Sequence, residues 1–231
     1  MADWHIFESR DDMVIALQAA VEAQLQAAID ERGQASWAVS GGSTPQPLFE
    51  AMQNASLDWK SVDVALVDER WVDFNHPRSN EAFVAKNLMQ GRAASACLVG
   101  MKADHATPAR GAADVNKRYE ALSLPFDSLL LGLGPDGHTA SLFPGAEGLE
   151  AAFADDAATC VALTAIQSDV TGEEVERMSL SARAIREASH VVLMITGEAK
   201  KQTLEAALTG DGKLPIARIY SMKPFEIYWA P

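Results

Sequence analysis

The chain has 231 residues, with 32 acidic against 19 basic side chains and a formal charge of −13, and 48% of it is hydrophobic. That length buries one substantial core and predicts a single domain over 1–231, while the acidic balance argues against general nucleic-acid binding, which rests on clustered Lys and Arg. No apolar run approaches the roughly 20 residues of a membrane span, the first residues carry no secretory pattern, and Cys97 and Cys160 are too few for a disulfide framework and lack metal-ligand spacing; the chain reads as soluble and cytoplasmic, with two reduced core thiols.

Val14, Leu17, Val21, Leu25 and Ile29 make one apolar stripe at helical spacing, and Ser9 with Asp12 forms a capping box ahead of it. Strand-like runs follow at 36–40 and 62–67, then helical patterns at 80–89 and 108–122, a continuous apolar run at 128–133, and strands at 159–163 and 190–196. A helix at 198–208 and a strand at 226–229 close the series, while 146–158 reads as a surface helix or loop and 168–174 as an exposed polar connection. Alternation of this kind predicts an α/β fold, doubly wound, with a mainly parallel sheet and helices on both faces.

Four segments carry the chemistry. In Ser40-Gly41-Gly42-Ser43-Thr44-Pro45 a strand runs through two glycines and two hydroxyl residues into a helix at 46–52. Glycines let backbone amides approach an anion closely, so Gly41, Gly42, Ser43 and Thr44 are candidates for holding phosphate or carboxylate. The compatible bland reading makes Ser43 or Thr44 an N-cap with Pro45 at the first helical position. A Walker loop is excluded, since no Gly-Lys-Ser/Thr ending follows.

Asp68-Glu69-Arg70 stands directly after the strand at 62–67 and leads on to His76, Arg78, Ser79 and Asn80. Strand ends in this fold point at the site, so these charges can orient a substrate or one another; the plain alternative is a solvated face of local ion pairs.

The third segment, Gly132-Leu133-Gly134-Pro135-Asp136-Gly137-His138, matches G-x-G-x-x-G formally. It is followed by Ala140-Ser141-Leu142-Phe143-Pro144 where a dinucleotide fold needs a long helix, and no acid ends a strand some twenty residues on. What it delivers is a histidine at the end of a buried strand with a carboxylate two residues away: His138 as general base and Asp136 orienting it, against the alternative of a structural histidine. Fourth come two cations, Arg177 in Glu176-Arg177-Met178 and Lys200 after Thr196-Gly197-Glu198-Ala199, where Lys200 is placed to reach an anion in the same crevice.

Taken together, Ser40-Gly41-Gly42-Ser43-Thr44-Pro45, Asp68-Glu69-Arg70, Ser79-Asn80, the run from Gly132 through His138 to Gly145, and Gly197-Glu198-Ala199-Lys200 resemble the 6-phosphogluconolactonase family over nearly the whole chain. The resemblance implies a Rossmann-like fold and hydrolysis of 6-phospho-D-glucono-1,5-lactone to 6-phosphogluconate in the pentose phosphate pathway, without metal or cofactor and without an obligate protein partner. It implies that Gly41, Gly42, Ser43 and Thr44 hold the 6-phosphate, with Arg177 and Lys200 as charge partners. Arg70 and Asn80 would then line the sugar side, and His138 with Asp136 would activate water. The related glucosamine-6-phosphate deaminases typically carry a glutamate where this chain has Phe143, and Asp-Glu-Tyr where it has Asp68-Glu69-Arg70. Asp73 departs from the lactonase pattern, in which proline is common at that place, and a non-catalytic sugar-phosphate sensor is the reading from another class.

Overall fold

A computed structural model describes residues 2–231. Seven strands form the main sheet: β1 (Asp3–Ile6), β2 (Ala35–Val39), β3 (Val62–Leu66), β5 (Cys97–Val99), β6 (Ser128–Leu131), β9 (His190–Thr196) and β10 (Glu226–Ala230), in the order β1-β10-β9-β6-β2-β3-β5. All of its pairings are parallel. Every residue of β2 and β6 is buried, which requires cover on both faces and explains why the sequence there is apolar without alternation.

The long helix α1 (Arg10–Arg32) supplies part of that cover: Val14, Leu17, Val21 and Leu25 of the stripe are buried together with Met13 and Ala28, while Ile29 is only partly buried. The Ser9 hydroxyl accepts the Asp12 amide at 3.1 Å and donates to its carboxylate at 2.6 Å, so the cap forms. Gly33 stops the helix at φ +76°, a conformation costly for any residue with a side chain. Asp127 then ties three elements together: its carboxylate pairs with Arg32 at the end of α1 and accepts the Ser36 amide at 2.9 Å, just before β6 begins.

The order of strands sets the position of the site. From β2 the chain moves outward to β3 and β5; it then returns to lay β6 on the other side of β2 and continues through β9 to β10. The reversal lies between β2 and β6, the crevice where open α/β sheets bind ligands.

A second sheet is a departure from the sequence reading. β4 (Asp68–Arg70), β7 (Cys160–Thr164) and β8 (Glu176–Leu180) pair antiparallel in the order β4-β8-β7. The run at 159–163, expected in the main sheet, therefore belongs to this smaller one. Asp68, Glu69 and Arg70 are a strand of their own rather than a loop after β3.

The other expected helices fall close to their patterns: α2 (Gln46–Met52), α3 (Asn80–Asn87), α4 (Pro108–Glu120) and α7 (Glu198–Thr209), with a short turn α5 (Leu149–Ala152) within 146–158; α6 (Ala182–Glu187) and α8 (Pro215–Met222) form where the sequence reading placed no helix. Residues 165–175 close the β7–β8 hairpin through Ala165 N to Val175 O at 2.9 Å, and Thr171 within them is buried. Cys160 is a buried thiol, but Cys97 is exposed at the start of β5, an edge strand, so only one of the two belongs to the core. No helix of the described residues is long and apolar enough to cross a membrane.

Candidate active site

Beyond the carboxyl ends of β9, β6, β2 and β3, four neighbouring strands, the chain leaves a cleft of about 280 Å³. It is lined by Ser40 to Pro45 after β2, Asp68 and Arg70 after β3, Gly132 to Gly134 with His138 and Ala140 after β6, Lys200 after β9, and by Asn80 at the start of α3. Nine of the ten candidate site residues are thereby accounted for within one crevice: eight line it, and Asp136 bonds the histidine that does.

His138 and Asp136 form its most defined pair. Nδ1 of the imidazole lies 2.5 Å from Asp136 Oδ1, and the His138 amide donates to the same oxygen at 3.2 Å. With Nδ1–H given to the carboxylate, Nε2 keeps its lone pair, the tautomer of a general base. Burial pushes the Asp136 carboxyl up, but the hydrogen bonds and charge of His138 outweigh it and leave the group below its ordinary value. The loop that presents them is tight. Gly134 N donates to His138 O at 2.8 Å, Gly137 turns at φ +79°, and Ala140 takes φ +49°, unusual for a residue with a side chain.

Across the switch point, Gly42 adopts φ +96° and Gly41 packs against Asn80: a Cβ at Gly41 would lie 2.1 Å from Asn80 Oδ1. The expectation that Ser43 or Thr44 caps the following helix is not met. Pro45 occupies the N-cap position with no side-chain hydrogen bond, and among the described residues neither hydroxyl has a partner. Both therefore keep their full hydrogen-bonding capacity for a ligand.

Arg70 donates through Nη1 to Arg78 O at 2.7 Å and to Asn80 Oδ1 at 3.2 Å, while its Nε is buried without a partner. Asp68 accepts the Ser141 hydroxyl at 2.6 Å and faces Asn80 Nδ2 at 3.3 Å, so the second sheet is bonded to the histidine loop. Lys200 donates to the Leu133 carbonyl. Burial lowers its pKa, and the Asp136 charge partly offsets this.

Arg177 stands apart from the lining. It is 1% exposed, pairs with Arg70 across β4 and β8, and donates to Thr171 O at 2.9 Å. Burial, followed by the Arg70 charge, brings its pKa down to about 10. A place among the residues lining the cleft is thus not where this side chain sits; it is the buried cross-strand neighbour of Arg70, which does line it.

Glu69 and His76 also stay out of the cleft. Glu69, 1% exposed, accepts the amides of Arg70, Asn80 and Glu81 at 2.8 Å each and the Ser79 hydroxyl at 3.1 Å. This carboxylate fastens β4 to the start of α3 and so fixes Arg70 and Asn80 relative to each other. Burial pushes its pKa up to about 7 against the pull of those amides. His76 accepts the Arg78 amide through Nδ1 at 3.2 Å and approaches Glu174 at 3.8 Å. Asp73 begins the turn that brings His76 there, its carbonyl accepting the His76 amide at 2.9 Å.

The family profile described as glucosamine-6-phosphate isomerases/6-phosphogluconolactonase matches residues 8–229. The chain belongs to this family. As a member of it, the chain is 40% identical over 234 residues to a 6-phosphogluconolactonase of Rhizobium meliloti (strain 1021), covering all of this chain and 99% of the relative. It is 37% identical over 231 residues to one of Mesorhizobium japonicum, covering 99% and 95%. A 6-phosphogluconolactonase structure from Shewanella baltica OS155 superposes with a TM-score of 0.93 at 34% identity, over 100% of this chain and 98% of that one. The mainly parallel, Rossmann-like architecture is thus the fold of this family's lactonase branch.

Proposed function

We propose that this family member hydrolyses 6-phospho-D-glucono-1,5-lactone to 6-phosphogluconate, the reaction of the pentose phosphate pathway, by His138-assisted attack of water. The observation that carries the mechanism is the Asp136–His138 pair at 2.5 Å, set across the crevice from the Gly41–Thr44 loop. The activity itself rests on full-length similarity to 6-phosphogluconolactonases.

Gly41 and Gly42 offer backbone amides, and Ser43 and Thr44 offer unpartnered hydroxyls, to the 6-phosphate; Lys200 supplies a charge-assisted bond worth about 1.5–3 kcal/mol. Arg70 and Asn80 line the sugar side, and Arg177, buried beside Arg70 on the neighbouring strand, adds positive potential without contact. These cations offset locally the field of a chain whose net charge is −13.

Nε2 of His138 takes a proton from water as its oxygen bonds to the lactone carbonyl carbon. The tetrahedral intermediate then collapses by breaking the bond to the ring oxygen, which receives that proton back as the new hydroxyl, and the carboxylic acid formed gives its own proton to solvent. Asp136 steadies the imidazolium between these steps.

The test is a coupled assay for accelerated opening of the freshly made phosphorylated lactone, with His138→Gln as control. Wild type should exceed the spontaneous rate, and the variant should lose about 10²–10⁴-fold in turnover while keeping its fold. Unchanged turnover in His138→Gln removes the base assignment. Ammonia released from glucosamine 6-phosphate would move the chain to the deaminase branch.

A further inference from the structure

His138 is held by more than Asp136. Phe143, 5% exposed, lies with its ring centroid 4.1 Å from that of the imidazole and its plane tilted by 35°. Gly134 leaves no room beside Nδ1 and Cε1, where a Cβ would come within 2.0 Å of both. Movement of the imidazole toward either neighbour is therefore blocked, and the remaining freedom is taken up by the bond from Nδ1 to Asp136. The Phe143 ring has a second contact, since the Arg177 guanidinium carbon lies 5.5 Å from its centroid. The ring is thus itself held, in contact with the imidazole and with a buried cation.

We infer that Phe143 is a positioning residue for His138: its ring keeps the imidazole in the one orientation that gives Nδ1 to Asp136 and leaves Nε2 for water. The inference rests on the proposed role of His138 but makes a claim of its own about the ring. Packing is the means. An aromatic ring packed against an imidazole favours a defined geometry beyond simple area burial, and a histidine released from such contact samples rotamers that take Nε2 away from the substrate. A displacement of about 1 Å at a reacting group costs on the order of 10²-fold in rate.

The experiment compares Phe143→Ala and Phe143→Leu with wild type by two readouts. The first is the imidazole tautomer, read from ¹⁵N–¹H NMR cross-peaks assigned to His138 by their loss in His138→Gln. Wild type should show a single Nδ1–H form; Phe143→Ala should show a mixture of tautomers, and Phe143→Leu, which refills the space, should restore most of the single form. The second is turnover of the phosphorylated lactone. Phe143→Ala should lower kcat by about tenfold or more with KM within about twofold, and Phe143→Leu should recover part of it. A His138 that keeps its Nδ1–H form in folded Phe143→Ala overturns the inference, as does a loss confined to KM. A wild type that fails to open the lactone, yet shows the tautomer change in Phe143→Ala, would reject the proposed activity and leave the positioning intact.

Discussion

Gly134 and His138 stand so close that a methyl group on the glycine would lie 1.9 Å from Nδ1 of the imidazole. The crowding comes from the loop closing on itself, with the Gly134 amide bonded to the His138 carbonyl at 2.8 Å and the Gly137 amide to the Gly134 carbonyl at 3.1 Å. Gly134 itself has no left-handed backbone, unlike Gly137. An alanine there meets no left-handed backbone strain, only the histidine and, at 2.7 Å, its partner oxygen Asp136 Oδ1. Gly134→Ala should therefore fold and should displace the imidazole, lowering kcat by on the order of 10²-fold. Steady-state kinetics beside a circular-dichroism melt would check this, and a variant with wild-type kcat would show that the ring does not need its present position.

Glu69 makes a different kind of prediction, because its carboxyl is raised by burial to about 7 while it bonds three amides and a hydroxyl. A raised folded-state pKa means that the native protein binds a proton more tightly than the unfolded chain. The associated stability is therefore present in full below the unfolded value near 4.5 and is lost as pH rises toward 7. Glu69→Gln removes the titration while keeping the volume. Between those pH values wild type should lose stability relative to the variant, by up to about 3 kcal/mol. Urea melts of both proteins at several pH values measure it; parallel curves across the window would mean that Glu69 is ionised throughout.

Much of the fold was legible because its central strands announce themselves by a physical necessity. The runs at 128–133 and 190–196 are apolar on both faces because β6 and β9 are covered on both faces. The histidine loop and the glycines at 41 and 42 could be read for a related reason, since a strand, glycines and polar side chains in that order occur where a sheet meets its ligand. The second sheet could not be read. β4 has three residues, Asp68, Glu69 and Arg70, whose charges signal a loop, and they form a strand only because β8 supplies partners more than a hundred positions away. Separation along the chain likewise hid the bond from Ser141 to Asp68, 73 positions apart, and the burial of Arg177. β1 and β5 are short edge strands, and neither has the apolar length that marks a central one. The capping reading of Ser43 and Thr44 failed because Pro45 took the N-cap position itself.

Ala140 lines the cleft at φ +49°, in the turn where the Leu142 amide bonds to the Thr139 carbonyl at 3.0 Å. A left-handed alanine costs about 1 kcal/mol or more, and a β-branched residue there is a genuine outlier. Ala140→Val should thus be destabilised by about 2 kcal/mol, whereas Ala140→Gly should be at least as stable as wild type, strain relief offsetting the greater entropy of the unfolded glycine. Denaturant midpoints for the two variants decide it; a Val variant as stable as the Gly variant would mean that the turn relaxes freely.

Lys200 and Arg177 separate contact from field. Lys200 lines the cleft, whereas Arg177 is buried beside Arg70 on the neighbouring strand and reaches Thr171 instead. If the phosphate sits against the Gly41–Thr44 loop, Lys200→Ala removes a direct bond, which at about 1.5–3 kcal/mol corresponds to roughly 10–100-fold in kcat/KM for the phosphorylated lactone. The unphosphorylated gluconolactone has no group for that bond, so its kcat/KM should change little. Arg177→Met roughly keeps the buried volume and removes, besides the bond to Thr171 O and the cation over Phe143, a charge that acts on the phosphate only at a distance, so the preference for the phosphorylated lactone should fall by less than in Lys200→Ala. The ratio of kcat/KM for the two lactones in each variant is the measurement. Equal losses on both lactones in Lys200→Ala would put the phosphate elsewhere, and a larger loss of preference in Arg177→Met would mean that this arginine turns outward to meet the phosphate itself.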